Sequence, residues 1–111
     1  MNSDISLIAL GGDMGLYTRY LVCYDIECNK VRRKFYDELK DYGLIPIQRS
    51  VFWGQLNQAE FTSLKRLASS LLDQDTDKCF WIHTQLRIEQ LKQGIGYKYL
   101  EVVDADSYQC I

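Results

Sequence analysis

The sequence contains few of the residues on which common catalytic sites depend. It has one histidine, one proline and four cysteines in 111 residues. A single histidine excludes catalysis by a histidine pair within one chain, and any nucleophilic triad would have to use His83. His83 lies in the strand-like run 79–84, where it alternates with aromatic residues. We therefore interpret it as a packing or hydrogen-bonding residue.

Further classes of protein are excluded by the cysteine spacing, the net charge and the lack of a long apolar run. No two cysteines have the C-x-x-C spacing of zinc sites, so we expect a reduced protein that uses them as small hydrophobic residues. The formal net charge of −2 does not attract nucleic acid, so such binding needs a local basic patch. No apolar run approaches the roughly 18 residues of a membrane span, and the run 5–10 follows an aspartate rather than the basic residues of a signal peptide. We expect a cytoplasmic protein with no membrane partner.

Strand and helix patterns alternate from residue 19 onward. The predicted elements are a strand over 20–26, a helix over 29–42, an extended segment over 44–54 that is one bent strand or a tight strand pair, a helix after Asn57, a strand over 79–84, a short helix over 86–92 and a strand over 97–103. We expect Asn29 to cap the first helix and Gly43 to end it. Asn57 and Glu60 predict a capping box, and Pro46 favours a sheet edge or a break.

This order predicts one small α+β domain, a ferredoxin-like βαββαβ sandwich with an additional C-terminal strand. Residues 1–18 form an N-terminal extension, 19–85 the core, and 86–111 a short helix and strand that stay in the sheet, cross to a dimer mate or dock on a partner. Both helices are expected on one sheet face. The other face would then be bare, and dimerisation through it is the simplest way to cover it.

A strand that ends on Asp25 precedes a helix whose first turns carry four cations. These are Lys30, Arg32, Arg33 and Lys34. Cations at the positive end of a helix dipole each forgo roughly 0.3–1 kcal/mol, which favours a role in phosphate contact over a plain solvated face. Arg49 either joins this patch or pairs with an acid. Asp25 itself is either functional or a carboxylate that bonds backbone amides at the helix start.

Four segments in this order resemble the CRISPR-associated protein two family, the small partner of the spacer-acquisition integrase. They are Tyr20–Ile26, Arg32 with the basic run after it, Leu39–Leu44 and Gln48–Gly54, and the resemblance covers Arg19 to about Thr84. It implies a ferredoxin-like homodimer that binds duplex DNA beside the large integrase subunit. It also implies a magnesium- or other divalent-metal-dependent nuclease that acts on RNA or DNA.

The resemblance also assigns residues to roles. Asp25 would be the metal ligand and a catalytic residue, and Tyr24 beside it would either position the attacking water or belong to the core. Arg32 and Lys34 would be the basic residues of the helix start, and Phe52 the motif aromatic. One carboxylate is a poor magnesium site. We therefore expect Asp25 to bind a metal ion only if a second copy faces it across a dimer axis.

The chain departs from the family pattern at two positions. Lys34 replaces what is often a second arginine, which keeps the charge but loses the bidentate fork. Pro46 stands where many members have an arginine. Phe52 and Trp53 are neighbours on one strand and face opposite ways, so we expect one to pack under the helices and the other to meet the dimer partner.

Two alternatives remain open at this point. An RNA-cleaving toxin of the virulence-associated protein D type would use a similar fold and a similar acid at a strand end, without an integrase partner. A purely architectural dimer would clamp DNA with Asp25 inert. The acidic composition, and the fact that each chain supplies only Asp25 to the proposed metal site, favour the architectural role over a robust enzyme.

Overall fold

The sheet and its two helices follow the predicted order. The computed structural model describes residues 16–100. The elements are β1 (Thr18–Asp25), α1 (Asn29–Asp41), β2 (Ile45–Gln48), β3 (Val51–Leu56), α2 (Gln58–Leu71), β4 (Lys78–His83) and a 3-10 helix (Ile88–Gln93). The four strands form one antiparallel sheet in the order β2-β3-β1-β4. This βαββαβ arrangement confirms the predicted ferredoxin-like fold class.

The core lies between the helices and one face of the sheet. Alternate residues of β1 are buried, as expected for a strand whose successive side chains point to opposite faces. The side chains with no exposed surface come from both layers and are Val22, Phe35, Leu39, Phe52 and Leu64. Burying each of them is worth about 1.5–3 kcal/mol. Phe52 therefore packs under the helices, as one of the two neighbours on β3 was expected to do.

The start of α1 differs from the prediction and its end agrees with it. Cys28 occupies the N-cap position and makes no side-chain cap hydrogen bond. The prediction that Asn29 caps α1 was wrong, because Asn29 is already helical and its side-chain oxygen accepts a hydrogen bond from Arg32. Gly43, with φ of 88°, ends the helix in the left-handed region. The Leu44 N–H then donates to the Leu39 carbonyl at 3.2 Å, which completes a Schellman motif.

The predicted capping box of α2 and the edge position of Pro46 are confirmed. The Glu60 N–H donates to Asn57 Oδ1 at 2.8 Å, and the Asn57 N–H donates to Glu60 Oε1 at 2.9 Å. The extended segment 44–54 is a strand pair, β2 and β3, rather than one bent strand. Pro46 lies on the edge strand β2, beside a register shift.

The segment after β4 covers part of the sheet face opposite the helices, here called the open face. Trp53 lies on this face, with only 8% of its surface exposed, and its indole N–H donates to the Leu86 carbonyl at 2.8 Å. The Tyr97 hydroxyl donates to the Ile47 carbonyl at 2.9 Å. The expectation of a bare open face was therefore wrong around Trp53, which the chain itself covers. Phe80 and Ile82 on β4 remain 57% and 52% exposed in the single chain.

Two predictions for the C-terminal segment differ from the structure. The short helix predicted over 86–92 is the 3-10 helix Ile88–Gln93. The strand predicted over 97–103 is wrong for residues 97–100, which form a turn closed by a 3.1 Å hydrogen bond from the Leu100 N–H to the Tyr97 carbonyl. Residues 101–103, and most of the extension predicted over 1–18, lie outside the described residues.

Candidate functional site

The end of β1 places Tyr24 and Asp25 on opposite faces of the sheet. Tyr24 points to the helix side, with 6% of its surface exposed and its ring edge-to-face against Phe35 at 5.2 Å. Asp25 is exposed, and its partner in the register with β4 is Lys78. Adjacent residues of a strand alternate in direction. The two side chains assigned a catalytic role are therefore neighbours in the chain but do not share a cavity.

A groove of about 680 Å³ opens beside Tyr24 and collects three of the predicted cations. We call it the basic groove; α1 and the turn between β2 and β3 supply most of its lining. The lining residues are Tyr24, Asn29, Arg32, Arg33, Tyr36, Asp37, Arg49 and Ser50. Arg49 thus joins the patch, which was one of its two expected roles. With three arginines against one aspartate, the groove is locally positive although the whole chain is negative.

Lys30 and Lys34 are not among the residues that line this groove. Lys30 is exposed at the start of α1. Lys34 Nζ lies 3.2 Å from Glu38 Oε2, one helical turn further on. An exposed pair at this spacing contributes only about 0.3–0.5 kcal/mol, so phosphate contact by Lys34 stays a prediction.

Arg32 is bound to its own chain rather than turned freely toward solvent. Its Nη1 donates to the Ile26 carbonyl at 2.9 Å, and its Nη2 donates to the side-chain oxygen of Asn29. The residue is half-buried at the rim of the basic groove. Two of its donors therefore hold the connection between β1 and α1.

Aromatic side chains form the floor of the basic groove. Tyr36 packs edge-to-face on the fully buried Phe52 at 5.2 Å, and the Tyr24 ring lies 6.2 Å from Phe52. Phe52, the predicted motif aromatic, supports the groove from below. Burial raises the pKa of the Tyr24 phenol, Tyr36 adds to the rise, and Arg32 opposes it. The phenol consequently stays protonated at neutral pH and can donate a hydrogen bond into the groove.

His83 and the half-buried Cys79 have the structural roles that their surroundings indicate. His83 Nε2 lies 3.2 Å from the Tyr20 hydroxyl, and the two rings are edge-to-face at 4.8 Å. The prediction of a packing and hydrogen-bonding histidine is confirmed. Burial, with a smaller contribution from Cys23, raises the pKa of the Cys79 thiol to about 12, so this thiol stays protonated at neutral pH.

One protomer does not supply a complete magnesium site. Within residues 16–100, no group of three or more His, Cys, Asp or Glu side chains is placed to hold a metal ion. Asp25 is a carboxylate of the donor type that magnesium prefers, and it is exposed. Asp25 lies opposite the cationic Lys78 in the β1–β4 register, and the nearby Asp77 carboxylate already accepts hydrogen bonds from backbone N–H groups. The donor chemistry fits magnesium only where two copies of Asp25 meet.

Asp77 supports the chain just after Asp25, and the sequence did not reveal this role. Its Oδ1 accepts a hydrogen bond from the Glu27 N–H at 3.0 Å, and its Oδ2 accepts one from the Asp73 N–H at 2.9 Å. These bonds, with that of Glu27 first, lower the pKa of the Asp77 carboxyl. Because Asp77 and Glu27 are 50 residues apart, no local pattern could have indicated the contact.

The fold and site now permit comparison with known proteins. The family model for CRISPR associated protein Cas2 matches residues 18–93. The chain belongs to the Cas2 family. This confirms the resemblance found in the sequence, and the match covers every strand and helix of the ferredoxin-like core.

Individual Cas2 proteins agree with the family match. The chain is 40% identical over 95 residues to CRISPR-associated endoribonuclease Cas2 1 of Francisella tularensis subsp. novicida (strain U112), covering 86% of this chain and 97% of that one. It is 34% identical over 79 residues to CRISPR-associated endoribonuclease Cas2 1 of Methanospirillum hungatei JF-1, covering 60% and 83%. The crystal structure of Streptococcus pyogenes Cas2 superimposes with a TM-score of 0.55 at 26% identity, covering 68% and 94%.

The length and the apolar character of a helix decide whether it could cross a membrane. In the part of the chain that the structure describes, no helix has both the length and the apolar character needed to cross a membrane.

Proposed function

We propose that the chain is the small subunit of a CRISPR adaptation complex, a homodimer that binds duplex DNA beside the large integrase subunit during spacer acquisition. Membership of the Cas2 family is the observation that carries this proposal. The basic groove supports it, because a negative protein needs a local positive site to bind a polyanion. Single-stranded RNA is a second nucleic acid that the same groove would accept.

The basic groove offers chemistry suited to a phosphate backbone. Arg33 and Arg49 approach it from two different elements, and their planar guanidinium groups can bind a phosphate with two parallel hydrogen bonds. The hydroxyls of Tyr24 and Ser50 add neutral donors. Such contacts hold a backbone in register without reading its sequence. This matches a subunit that positions a duplex of any sequence.

The second part of the proposal is a metal-dependent endonuclease activity at Asp25. The similar proteins of F. tularensis and M. hungatei are named endoribonucleases, which supports hydrolysis of RNA phosphodiesters. Asp25 from each of two protomers would hold Mg²⁺ or another divalent cation. When bound, such an ion supplies a Lewis acid for the phosphate and lowers the pKa of a water molecule. The chain itself contributes the exposed Asp25 carboxylate and the strand end that orients it.

The exposed part of the open face supports the dimer. Phe80 and Ile82 leave more than half of their surfaces in contact with solvent, and their partners on the neighbouring strand are Cys23 and Leu21. Large exposed apolar side chains grouped on one sheet face are typical of a protein interface. Analytical ultracentrifugation should show a dimer for the wild type and a monomer for a Phe80→Ser, Ile82→Ser variant. A monomeric wild type would exclude both the dimer and the shared metal site.

An Asp25→Ala variant separates the two activities. RNA and DNA cleavage with magnesium and spacer integration with the large subunit should be measured on the same preparation. We expect cleavage to be lost and integration to persist, because the basic groove lies on the other face of β1. Undiminished cleavage in the variant would exclude Asp25 as the metal ligand. Loss of integration by a variant that still dimerises would show that Asp25 is needed in adaptation as well.

A purely architectural dimer is the second candidate function. The observation that favours it is that Asp25 lies opposite the cationic Lys78 and belongs to no group of three or more potential metal ligands within residues 16–100. The wild type would then integrate spacers and bind duplex DNA but cleave neither RNA nor DNA at any magnesium concentration.

A further inference from the structure

The peptide group that joins Ile26 to Glu27 is held from both of its ends by charged side chains. Its carbonyl accepts a hydrogen bond from Arg32 Nη1 at 2.9 Å, and its N–H donates to Asp77 Oδ1 at 3.0 Å. This peptide group is the second one after Asp25, with Ile26 between them in the chain. Hydrogen bonds to ionised groups are roughly twice as strong as neutral ones. A cation and an anion thus fix one peptide plane beside the proposed metal ligand.

We propose that Arg32 and Asp77 are positioning residues that set the orientation of Asp25 by fixing the Ile26–Glu27 peptide group. The inference rests on the proposed function of Asp25 and adds to it two residues that act through the backbone. It also gives Arg32 a role different from phosphate contact, although Arg32 lies at the rim of the basic groove. Arg33 and Arg49 then remain as the arginines that bind the nucleic-acid backbone.

Each positioning residue is itself held in place by further hydrogen bonds. Arg32 Nη2 donates to the side-chain oxygen of Asn29 within the first turn of α1. Asp77 Oδ2 accepts from the Asp73 N–H at 2.9 Å, and the Asp77 N–H donates to the Asp73 carbonyl at 2.8 Å. Neither side chain can rotate without breaking bonds on its own element. Such a supporting shell is what a site that must hold one geometry requires.

The position of Asp25 explains why its strand end needs support. Asp25 is the last residue of β1, and its pairing with Lys78 is the last step of the β1–β4 ladder. Strand ends with exposed side chains open more readily than strand centres. Arg32 ties this end to α1, and Asp77 ties it to the loop between α2 and β4. The hydrogen bonds of Arg32 and Asp77 therefore join three elements at the strand end that carries the proposed chemistry.

The test uses the full ¹⁵N,¹³C-labelled chain and two substitutions on opposite sides of the peptide group. Arg32→Lys keeps the charge but loses the fork that reaches both Ile26 and Asn29, and Asp77→Ala removes both acceptor oxygens. Arg66→Lys is the matched control for the first change, because Arg66 is an exposed arginine on α2 outside the basic groove. Asp75→Ala is the control for the second, because Asp75 lies in the same loop and its removal changes the charge equally.

We expect both test variants, and neither control, to accelerate hydrogen exchange of the Glu27 amide and to shift the Asp25 ¹³Cγ resonance. The magnesium concentration for half-maximal cleavage should rise by about 10- to 100-fold, as for other residues that orient a metal ligand. The double variant should match the larger single effect, because both side chains act on one peptide group. The salt dependence of duplex binding by a further variant, Arg32→Gln, should equal that of the wild type, because Arg32 is not expected to contact phosphate.

Unchanged Glu27 exchange in Arg32→Lys, together with a shallower salt slope in Arg32→Gln, would overturn the proposal, because Arg32 would then contact phosphate. Unchanged Glu27 exchange and Asp25 ¹³Cγ shift in Asp77→Ala would overturn it as well. A wild type without cleavage would exclude the nuclease function alone. The exchange rates and the ¹³Cγ shifts would still decide whether Arg32 and Asp77 orient Asp25. Arg32 and Asp77 lie on different elements. If one of the two variants does not fold, the other still tests whether the Ile26–Glu27 peptide group orients Asp25.

Discussion

The helix side and the open face of the sheet differ in the chemistry that they present at the end of β1. On the helix side, Tyr24 opens into a groove with three arginines and a packed aromatic floor. On the open face, Asp25 is exposed opposite Lys78, and Phe80 and Ile82 on β4 leave an apolar strip uncovered. A single strand thus separates the candidate phosphate contacts from the candidate metal ligand. Nucleic-acid binding and phosphodiester cleavage should therefore respond to different substitutions.

The largest expected effect comes from the open face. Asp25→Asn removes a negative charge with almost no change in shape, and it should lower the cleavage rate by at least about 100-fold. Duplex affinity should stay the same, because Asp25 is absent from the basic groove. Cleavage assays and fluorescence anisotropy on one preparation test this, with Asp41→Asn on α1 as the control. A parallel loss of cleavage and binding would show that the two faces do not act separately.

The converse experiment changes the helix side. Replacing Arg33 and Arg49 by glutamine should weaken duplex binding roughly tenfold and lower the slope of log affinity against log salt concentration by about 1.8, the value for two lost phosphate contacts. Lys40→Gln is the control, because Lys40 is an exposed cation in the last turn of α1 that does not line the groove. Titrations at several salt concentrations give the slope. A wild-type slope in the double variant would show that the groove is an ordinary charged surface that does not contact phosphate.

A smaller effect, on the free energy of unfolding, is expected at the covered part of the open face around Trp53. Trp53→Phe keeps the aromatic packing and removes the indole N–H that donates to the Leu86 carbonyl at 2.8 Å. The free energy of unfolding should fall by about 0.5–1.5 kcal/mol. Urea denaturation followed by circular dichroism measures this change. Trp81→Phe on the helix side is the matched control, and an equal loss in both variants would mean that the Leu86 contact contributes nothing.

The smallest expected effect concerns acid stability at the loop that supports Asp25. The N–H of Glu27 lowers the pKa of the Asp77 carboxyl below its ordinary value of 3.8. A lowered pKa means that Asp77 stabilises the fold above that value and loses this contribution as the pH falls through the folded-state pKa. The neighbouring charged residues are Asp25, Glu27, Asp73, Asp75 and Lys78.

Thermal denaturation at several pH values tests this expectation. The difference in melting temperature between the wild type and Asp77→Ala should be widest near neutral pH and should narrow in acid. Asp75→Ala controls for the loss of one negative charge from the same loop. A gap that stays constant with pH in Asp77→Ala would contradict the linkage.

Local signals in the sequence predicted local structure well. Gly43 and the pair Asn57 and Glu60 each act within one turn of their own helix, and the structure confirms them. Asn29 failed as a cap because its side-chain oxygen bonds the guanidinium of Arg32 instead. The alternation over 97–100 did not produce a strand, because alternation shows only that a segment could pair and not that a neighbouring strand is available.

The candidate site was predictable in its members but less so in its arrangement. The basic run and Arg49 were identified, and three of those five cations line one groove. The pairing of Lys34 with Glu38 was within reach of the sequence, since the residues are four apart on one helix. The contact between Asp77 and the Glu27 N–H joins two loops 50 residues apart, so only the folded chain reveals it.

The turn between β2 and β3 consists only of Arg49 and Ser50, and this shortness has a consequence for how the family's sites can vary. The Ser50 carbonyl accepts the Tyr24 N–H at 3.0 Å, so the turn is bonded directly to the central strand. The reach of the Arg49 side chain is thereby fixed by the number of residues in the turn. Insertion of one residue there would displace the guanidinium while leaving every groove residue present. The length of this turn therefore matters as much as the arginine itself for whether the proposed phosphate contact can form.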